Sequence, residues 1–303
     1  PSSGYSTQYG NYGEMTNNGM EIDLGLDLID TSEFGLSTAI NWSTNENEVT
    51  DLFGTESINL SPGASVSSRA VVGYPLGSLY GTGSQTNPDG SFILNSNGFP
   101  QITSSPIVLG DPNPDWRGGI SLSMRYKKFR LNAVLEHSEG GDFSPRTLWV
   151  LRRFGTTQET ANRITLDQPL VNYRGNTIPA GTTVRGNIKD FGGGPVLLDE
   201  NWYRTGIGGG FGDNQAYNFS IADATFTKLR DLSLSYVIDT PLVTNIGLSD
   251  VIVSLTGRDL ININKVEGID PEINTKGVSV AQGVEYFTNP QTKGFLVSLT
   301  INY

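Results

Sequence analysis

Few residues in this chain are equipped for chemistry. Cysteine is absent and His137 is the one histidine, so thiol nucleophiles, thiolate zinc sites and histidine-rich metal centres are excluded by composition. His137 follows Glu136 without marked triad partners, and reads as a solvated or interfacial side chain. The glycine run from Gly206 to Gly212 (GIGGGFG) could cradle a phosphate, but no strand precedes it and no helix carrying Lys-Ser/Thr follows. It reads as a flexible loop. Asp190, Asp199 and Glu200 offer calcium-type oxygens without the spacing of a dedicated loop, so they read as solvated surface and no cofactor is expected. Asn-x-Ser at Asn41, Asn59 and Asn218 is too short a pattern to mark glycosylation. Binding chemistry remains. Trp149, Arg152, Arg153, Trp202 and Tyr203 share one long segment, where aromatic faces stack on sugar rings or peptide side chains and guanidinium groups hold carboxylates or carbonyls. The alternative for each is packing inside an ordered loop, which a segment of this length requires.

Charge narrows the partners. Across 303 residues, 20 Lys and Arg stand against 31 Asp and Glu, a net charge of −11. Phosphate neutralisation needs a basic face, so nucleic acid is not an expected ligand. Only 17% of residues are charged and 36% are hydrophobic, while 37 glycines and 10% aromatics point to a β protein rich in turns. No stretch approaches the roughly 18 consecutive apolar residues of a spanning helix, and the opening Pro-Ser-Ser-Gly is no basic-then-apolar leader, so neither membrane helix nor signal peptide is expected. A closed barrel stays open as a reading, because it satisfies its backbone within hydrocarbon and leaves a weaker hydropathy signal.

The period of the apolar residues decides for strands. Met20, Ile22, Leu24, Leu26 and Leu28 alternate with Glu21, Asp23, Gly25 and Asp27; Phe34, Leu36, Ile40 and Trp42 alternate with Gly35, Ser37, Ala39 and Asn41. Further runs carry Trp116, Ile120, Leu122, Met124 and Tyr126; Phe129, Leu131, Ala133 and Leu135; Leu232, Leu234, Tyr236 and Ile238; Val251, Val253 and Leu255; and Phe295, Val297, Leu299, Ile301 and Tyr303. The spacing predicts seven strands near 17–29, 33–48, 115–126, 129–139, 221–238, 250–263 and 293–303. Their connections alternate between short (29–33, 127–128, 239–249) and long (49–114, 140–220, 264–292). In an up-and-down meander all short connections then lie at one end and all long ones at the other, the pattern of an outer-membrane barrel with long extracellular loops.

Aromatic positions bracket the apolar runs. Trp116 and Tyr126 are ten residues apart, as are Phe226 and Tyr236; Phe34 and Trp42 are eight apart, as are Phe295 and Tyr303. At about 3.3 Å per residue and about 45° tilt these spacings cover about 19–23 Å of membrane normal. Phe34, Tyr126, Phe129, Tyr236 and Tyr303 are expected in a membrane-interface girdle at the short-turn end, and Trp42, Trp116, Phe226 and Phe295 in one at the long-loop end. The opposite face is polar, with Glu21, Asp23, Asp27, Arg125, Arg130, Asn132 and Glu136, as a water-filled interior would accept. Lys228 and Arg230 break the pattern, since strict alternation puts both on the lipid face; a bulge, or a position above the membrane, would resolve this.

Seven strands are odd in number and too few to enclose a wide lumen, so the chain reads as part of a barrel. The run from Phe295 to Tyr303 resembles the terminal recognition strand of outer-membrane barrels, which places the missing part on the N-terminal side. Several segments carry a family resemblance: Gly110-Asp111-Pro112-Asn113-Pro114-Asp115-Trp116-Arg117-Gly118-Gly119; Phe226-Thr227-Lys228-Leu229-Arg230-Asp231-Leu232-Ser233-Leu234-Ser235-Tyr236; and Gly257-Arg258-Asp259-Leu260 leading to Gly268-Ile269-Asp270-Pro271-Glu272. Ser3-Gly4-Tyr5, Gly13-Glu14-Met15, Asn18-Gly19-Met20-Glu21 and, more divergently, Leu151 to Arg163 add to it. Together they resemble the barrel of SusC/RagA-like TonB-dependent transporters of Bacteroidota outer membranes. The resemblance implies an all-β, antiparallel up-and-down transmembrane β-barrel segment, about seven C-terminal strands of roughly 22, with the plug domain and the TonB-interacting segment outside this chain. It implies no enzymatic activity, an oligosaccharide or peptide substrate, TonB reached through the absent N-terminal part, and a SusD/RagB-like lipoprotein on the extracellular face. A soluble or surface-attached β-sandwich, binding carbohydrate or acting as an adhesin, is the competing reading; its apolar strand faces would pack on one another. An outer-membrane hydrolase would need acid, base and nucleophile clustered at the strand tops, and no such cluster is marked.

Overall fold

A computed structural model describes residues 11, 13–61, 65–206, 208, 215–266, 268–275, 277 and 282–303. Its main feature is one seven-stranded antiparallel sheet whose strands pair in chain order: β1 (Glu14–Asp30), β2 (Phe34–Asp51), β3 (Trp116–Tyr126), β4 (Phe129–Glu139), β5 (Phe226–Ile238), β6 (Asp250–Asn264) and β7 (Gly294–Asn302). Each strand lies over one of the alternating runs. The order is that of a meander: every neighbour in the sheet is also the neighbour in sequence. Ser3-Gly4-Tyr5 and most of the Gly206–Gly212 run lie outside the described residues.

Register carries the alternation from strand to strand. Directly opposed residues share a face, and Leu36, Met124, Leu131, Leu234, Leu255 and Val297 form one apolar row across β2 to β7. On the opposite face Ser37, Ser123, Asn132, Ser233 and Thr256 form a polar row. The hairpin between β3 and β4 closes through Lys127 and Lys128, with Lys127 in the left-handed region (φ 52°) that so tight a turn demands. The connection from β5 to β6 includes a helical turn, Pro241–Thr244.

The long connections build a second layer. Residues 57–61, 67–71, 78–81 and 107–110 make a four-stranded sheet in the first. The second holds helix α1 (Arg146–Phe154), a three-stranded sheet of residues 163–165, 183–190 and 195–199, and the short helix Glu200–Arg204. Phe99 of the first connection packs on Phe191 and Trp202 of the second, and Trp149 and Tyr217 of the second pack with Val66 and Leu79 of the first. The third joins through Val284–Glu285, which pairs parallel to Asp142–Pro145, and through the buried Glu285, which accepts hydrogen bonds from the Thr147 hydroxyl (2.6 Å) and backbone N–H (3.2 Å). Among the described residues the enclosed apolar side chains all lie in these connections or at the strand ends that meet them. The middle of the sheet encloses none.

Candidate functional site

The polar face of the sheet and the underside of the loop layer meet at the long-loop end, in an ion network built around a buried lysine, Lys228. Its origin is one bulge. Leu229 opposes Leu135 and Asp231 opposes Val134, so Arg230 is an extra residue in β5 relative to β4, while against β6 the step from Ile261 to Arg258 puts the extra residue on the β6 side. A bulge reverses the side-chain alternation beyond it. Lys228 therefore opposes Glu136 and Asn262 on the polar face, while Leu229 joins the apolar one. This resolves the anomaly of two cations on a lipid-facing parity. It also corrects Phe226: the same reversal removes it from the expected girdle and turns it to the polar side, where it is 6% exposed beneath the Lys228 ammonium (4.8 Å) and the Arg230 guanidinium (5.8 Å).

Lys228 is fully buried and its ammonium is saturated by Asp270 (2.8 and 2.7 Å), Glu272 (2.6 Å) and the Gln291 amide oxygen (3.2 Å). Arg230 donates to Glu136 (2.6 Å) and grips Glu272 with both terminal nitrogens, one of them at 2.8 Å. Burial alone would raise the Glu272 carboxyl, but hydrogen bonds and charge from Arg230 and Lys228 outweigh it and hold the group at about 2. The Phe226–Tyr236 and Gly268–Glu272 segments, separate in sequence, are thus clamped together, which fastens the third long connection to the sheet.

The Gly110–Trp116 segment is fixed at the same end. Asp142 accepts from the Asp111 N–H (2.9 Å), Asp111 accepts from the Asn113 N–H and amide (3.0 and 2.6 Å), and the Gln282 amide donates to Asn113 (3.1 Å). Burial raises both the Asp111 and the Asp142 carboxyls. Two openings border this region. One of about 170 Å³ is lined by Arg117, Glu136, Asp142 and Glu272, and a wider groove of about 480 Å³ by Glu21, Asn45, Asn113 and Arg117.

The loop residues singled out by type separate into two groups. Trp149 and Trp202 are enclosed: Trp149 stacks on Tyr217 (5.6 Å, 20° between planes), and Trp202 sits among Phe99, Phe191 and Phe219. Neither indole face is available to a ligand, because loops this long form cores of their own; the expectation of substrate contact is corrected to packing. Arg152, Arg153 and Tyr203 do line one cavity, together with Arg185 and Arg204. Burial and the adjacent Glu159 push the Tyr203 phenol up, so it stays protonated and donates to Glu159 (3.1 Å) while accepting from the Asn187 amide (2.8 Å). Glu159 in turn accepts from the Arg152 Nε (2.8 Å). Arg185, Arg204 and the Lys228 network were not marked by residue type; two cations on a nominally apolar parity were the only trace of the network.

At the other end of the sheet Phe34, Tyr126, Phe129 and Tyr236 lie side by side across four strands, with the Phe129 and Tyr236 rings 4.7 Å apart. Near the loops Trp42 opposes Gly118, and the Trp116 ring packs at 4.8 Å on His137, whose nitrogens meet Thr227 (2.8 Å) and Glu139 (3.0 Å). Phe295 opposes Gly257, and Tyr303 lies past the end of β7. Asp190 caps a turn, accepting from Gly192 and Gly194; Asp199 caps the helix that Glu200 begins, and Glu200 pairs with Arg204. Among the described residues no group of three or more acidic or histidine side chains is placed to hold a metal ion.

No family model matches the chain. It is 24% identical over 334 residues to TonB-dependent receptor P3 of Formosa agariphila and 23% identical over 329 residues to TonB-dependent receptor P26 of the same organism, in each case across 99% of this chain. The chain spans 30% of the length of either relative. Its structure superposes on that of the RagAB peptide transporter with a TM-score of 0.64 at 19% identity, covering 100% of this chain and 31% of that one, and on the RagAB peptide importer in its closed-closed state with 0.61 at 20%, covering 100% and 31%. These relatives are receptors and transporters, not enzymes. The resemblance carried by the Gly110–Gly119, Phe226–Tyr236 and Gly257–Glu272 segments therefore holds along the whole chain: it is related to TonB-dependent receptors and has the fold of part of a SusC/RagA-like barrel.

Proposed function

We propose that this chain is the C-terminal barrel portion of an outer-membrane, TonB-dependent importer of large nutrients, oligosaccharides or peptides, that works with a SusD/RagB-like lipoprotein. The observation that carries the reading is the sheet itself. Its apolar face is exposed from Leu24 on β1 to Leu299 on β7, among the described residues no second sheet packs on it, and its other face is a field of serine, threonine, asparagine and charge. Water on both sides would leave that apolar area uncovered; lipid on one side and a wet lumen on the other suits both faces. A β-sandwich would bury it. Phe34, Tyr126, Phe129 and Tyr236 belong in this reading to the periplasmic interface, and Trp42 and Trp116 to the outer one. In this reading the loop layer faces outward, lines the vestibule for cargo and meets the lipoprotein, while the plug and TonB contact lie upstream in a barrel of about 22 strands closed between β7 and the first strand.

Extraction of the protein from outer membranes in detergent, with intact mass, N-terminal sequencing and gel migration with and without heating, tests this. The expected product is much longer than 303 residues, migrates differently once boiled and arrives with a lipoprotein. A detergent-free soluble species of the size of this chain overturns the reading.

A further inference from the structure

The geometry points to a lipid-embedded foot at the short-turn end of the sheet: the connection between β5 and β6, residues 239–249, lays Leu242 and Ile246 into the boundary between headgroups and acyl chains of a phospholipid leaflet. This rests on the import reading and goes beyond it, because a connecting turn need not touch lipid at all. Two of the short connections, 31–33 and 127–128, close in a few polar residues. The third is longer and carries Leu242, Val243, Ile246 and Leu248. Val243 and Leu248 are half-buried, whereas Leu242 is 83% exposed and Ile246 72%. Pro241 starts a helical turn whose geometry continues through Asn245, so the two exposed side chains stand about one turn of helix apart.

Three features of this connection suit a lipid boundary. Its backbone is closed: every N–H of residues 243–249 donates within the chain, to the carbonyls of Thr240, Pro241, Val243, Thr244 and Asn302. Water would satisfy those groups in an open turn, whereas hydrocarbon offers them no partner. Its flanks continue the apolar face: the chain enters from Ile238 and leaves to Val251, which oppose one another two residues beyond Tyr236 and the aromatic row of the short-turn end. The charges around it are paired, Arg125 with Asp30, Lys127 with Glu33 and Lys128 with Asp239, so no single-sign rim holds the turn away from the interface. Two aliphatic side chains one helical turn apart, on a hydrogen-bonded backbone, are the anchor that interfacial segments use.

Site-directed spin labelling of the full-length receptor tests the foot. This stretch has no cysteine, so Leu242→Cys, Ile246→Cys, Thr244→Cys and Leu234→Cys each place one nitroxide in it, with cysteines elsewhere in the receptor replaced by serine. The labelled protein is set in vesicles of phosphatidylethanolamine and phosphatidylglycerol. Collision of each label with oxygen, which concentrates in lipid, is compared with collision with a water-soluble nickel chelate. Leu234 on the apolar face is the lipid reference, and Thr244, across the helical turn from Leu242, is the water reference. The expected result is loss of nickel collision at the Leu242 and Ile246 labels, with oxygen collision close to that at Leu234, while the Thr244 label still meets nickel. Nickel collision at Leu242 and Ile246 equal to that at Thr244 overturns the proposal. Shielding of both labels from both reagents overturns it too, since that marks a protein partner in place of lipid. Failure of the membrane setting shows differently: the Leu234 label itself then meets nickel, and the foot falls with the import reading.

Discussion

In the sheet, Leu234 is 47% exposed and Val297 73%, while in the loop layer Phe99 and Leu197 are wholly enclosed. The same residue types meet opposite surroundings within one chain. The loop layer stands by burying apolar area against itself, as any water-soluble domain does. The sheet stands by its hydrogen-bond ladders and leaves one apolar face uncovered, as the proposed lipid setting would require. Polar groups invert in parallel: serines and asparagines cover the polar face of the sheet, whereas the enclosed Lys228 sits where the two regions join and the enclosed Glu285 lies within the loop layer.

Substitutions that distinguish the two regions test this contrast. Phe99→Ala removes a ring from the shared core of the first two long connections and is expected to cost about 3–5 kcal/mol, read as protease sensitivity of those connections. Leu234→Ala, by contrast, is expected to change heat-modifiable migration little, because lipid chains are as apolar as the side chain removed. An equal effect of the two substitutions would break the comparison. Lys228→Ala tests the junction: it strands the buried Asp270 carboxylate, while Glu272 keeps Arg230, and losing one partner of a buried pair costs about 3–5 kcal/mol. The expected readout is proteolysis within residues 265–293 with the barrel still folded.

Charge insertion runs the other way. Leu122→Arg on the apolar face is expected to cost about 2–4 kcal/mol of membrane insertion, read as the outer-membrane level of folded protein, while Ser123→Arg on the polar face leaves that level near wild type. A milder perturbation is acid. The Glu272 carboxyl, held at about 2 against an ordinary 4.5, contributes stability that is fully present above the ordinary value and is lost as pH falls through the lowered one. Pepsin is therefore expected to spare the third connection at pH 4 and cut it near pH 2, and Glu272→Gln to abolish the difference. Smallest of all is Lys128→Gln. It removes an exposed pair with Asp239 at the short-turn end and is expected to leave heat-modifiable migration unchanged.

Much of the sheet was legible in the residues. Alternation such as Met20 to Leu28 repeats with the strand period, and short turns such as Lys127-Lys128 force neighbours in sequence to be neighbours in space. The loop layer was far less legible. Trp149 and Trp202 looked equally suited to ligand stacking or to packing, and only long-range contacts, with Tyr217 for one and Phe99 for the other, separate the two. Arg185 and Arg204 lie beyond any local pattern that could have joined them to Arg152 and Arg153. Phe226 misled because ten residues of strict alternation to Tyr236 gave it the wrong face.

The sequence by itself determined the class of the protein and the order of its strands, because apolar period and turn length are local and every residue states its own preference. The tertiary structure decided the faces and the sites. One extra residue at Arg230 leaves no mark in composition, yet it reverses the alternation beyond it and turns Lys228 from the apolar face to the buried carboxylates of Asp270 and Glu272. That reversal is a property of pairing between strands. It exists only once β4, β5 and β6 are laid side by side.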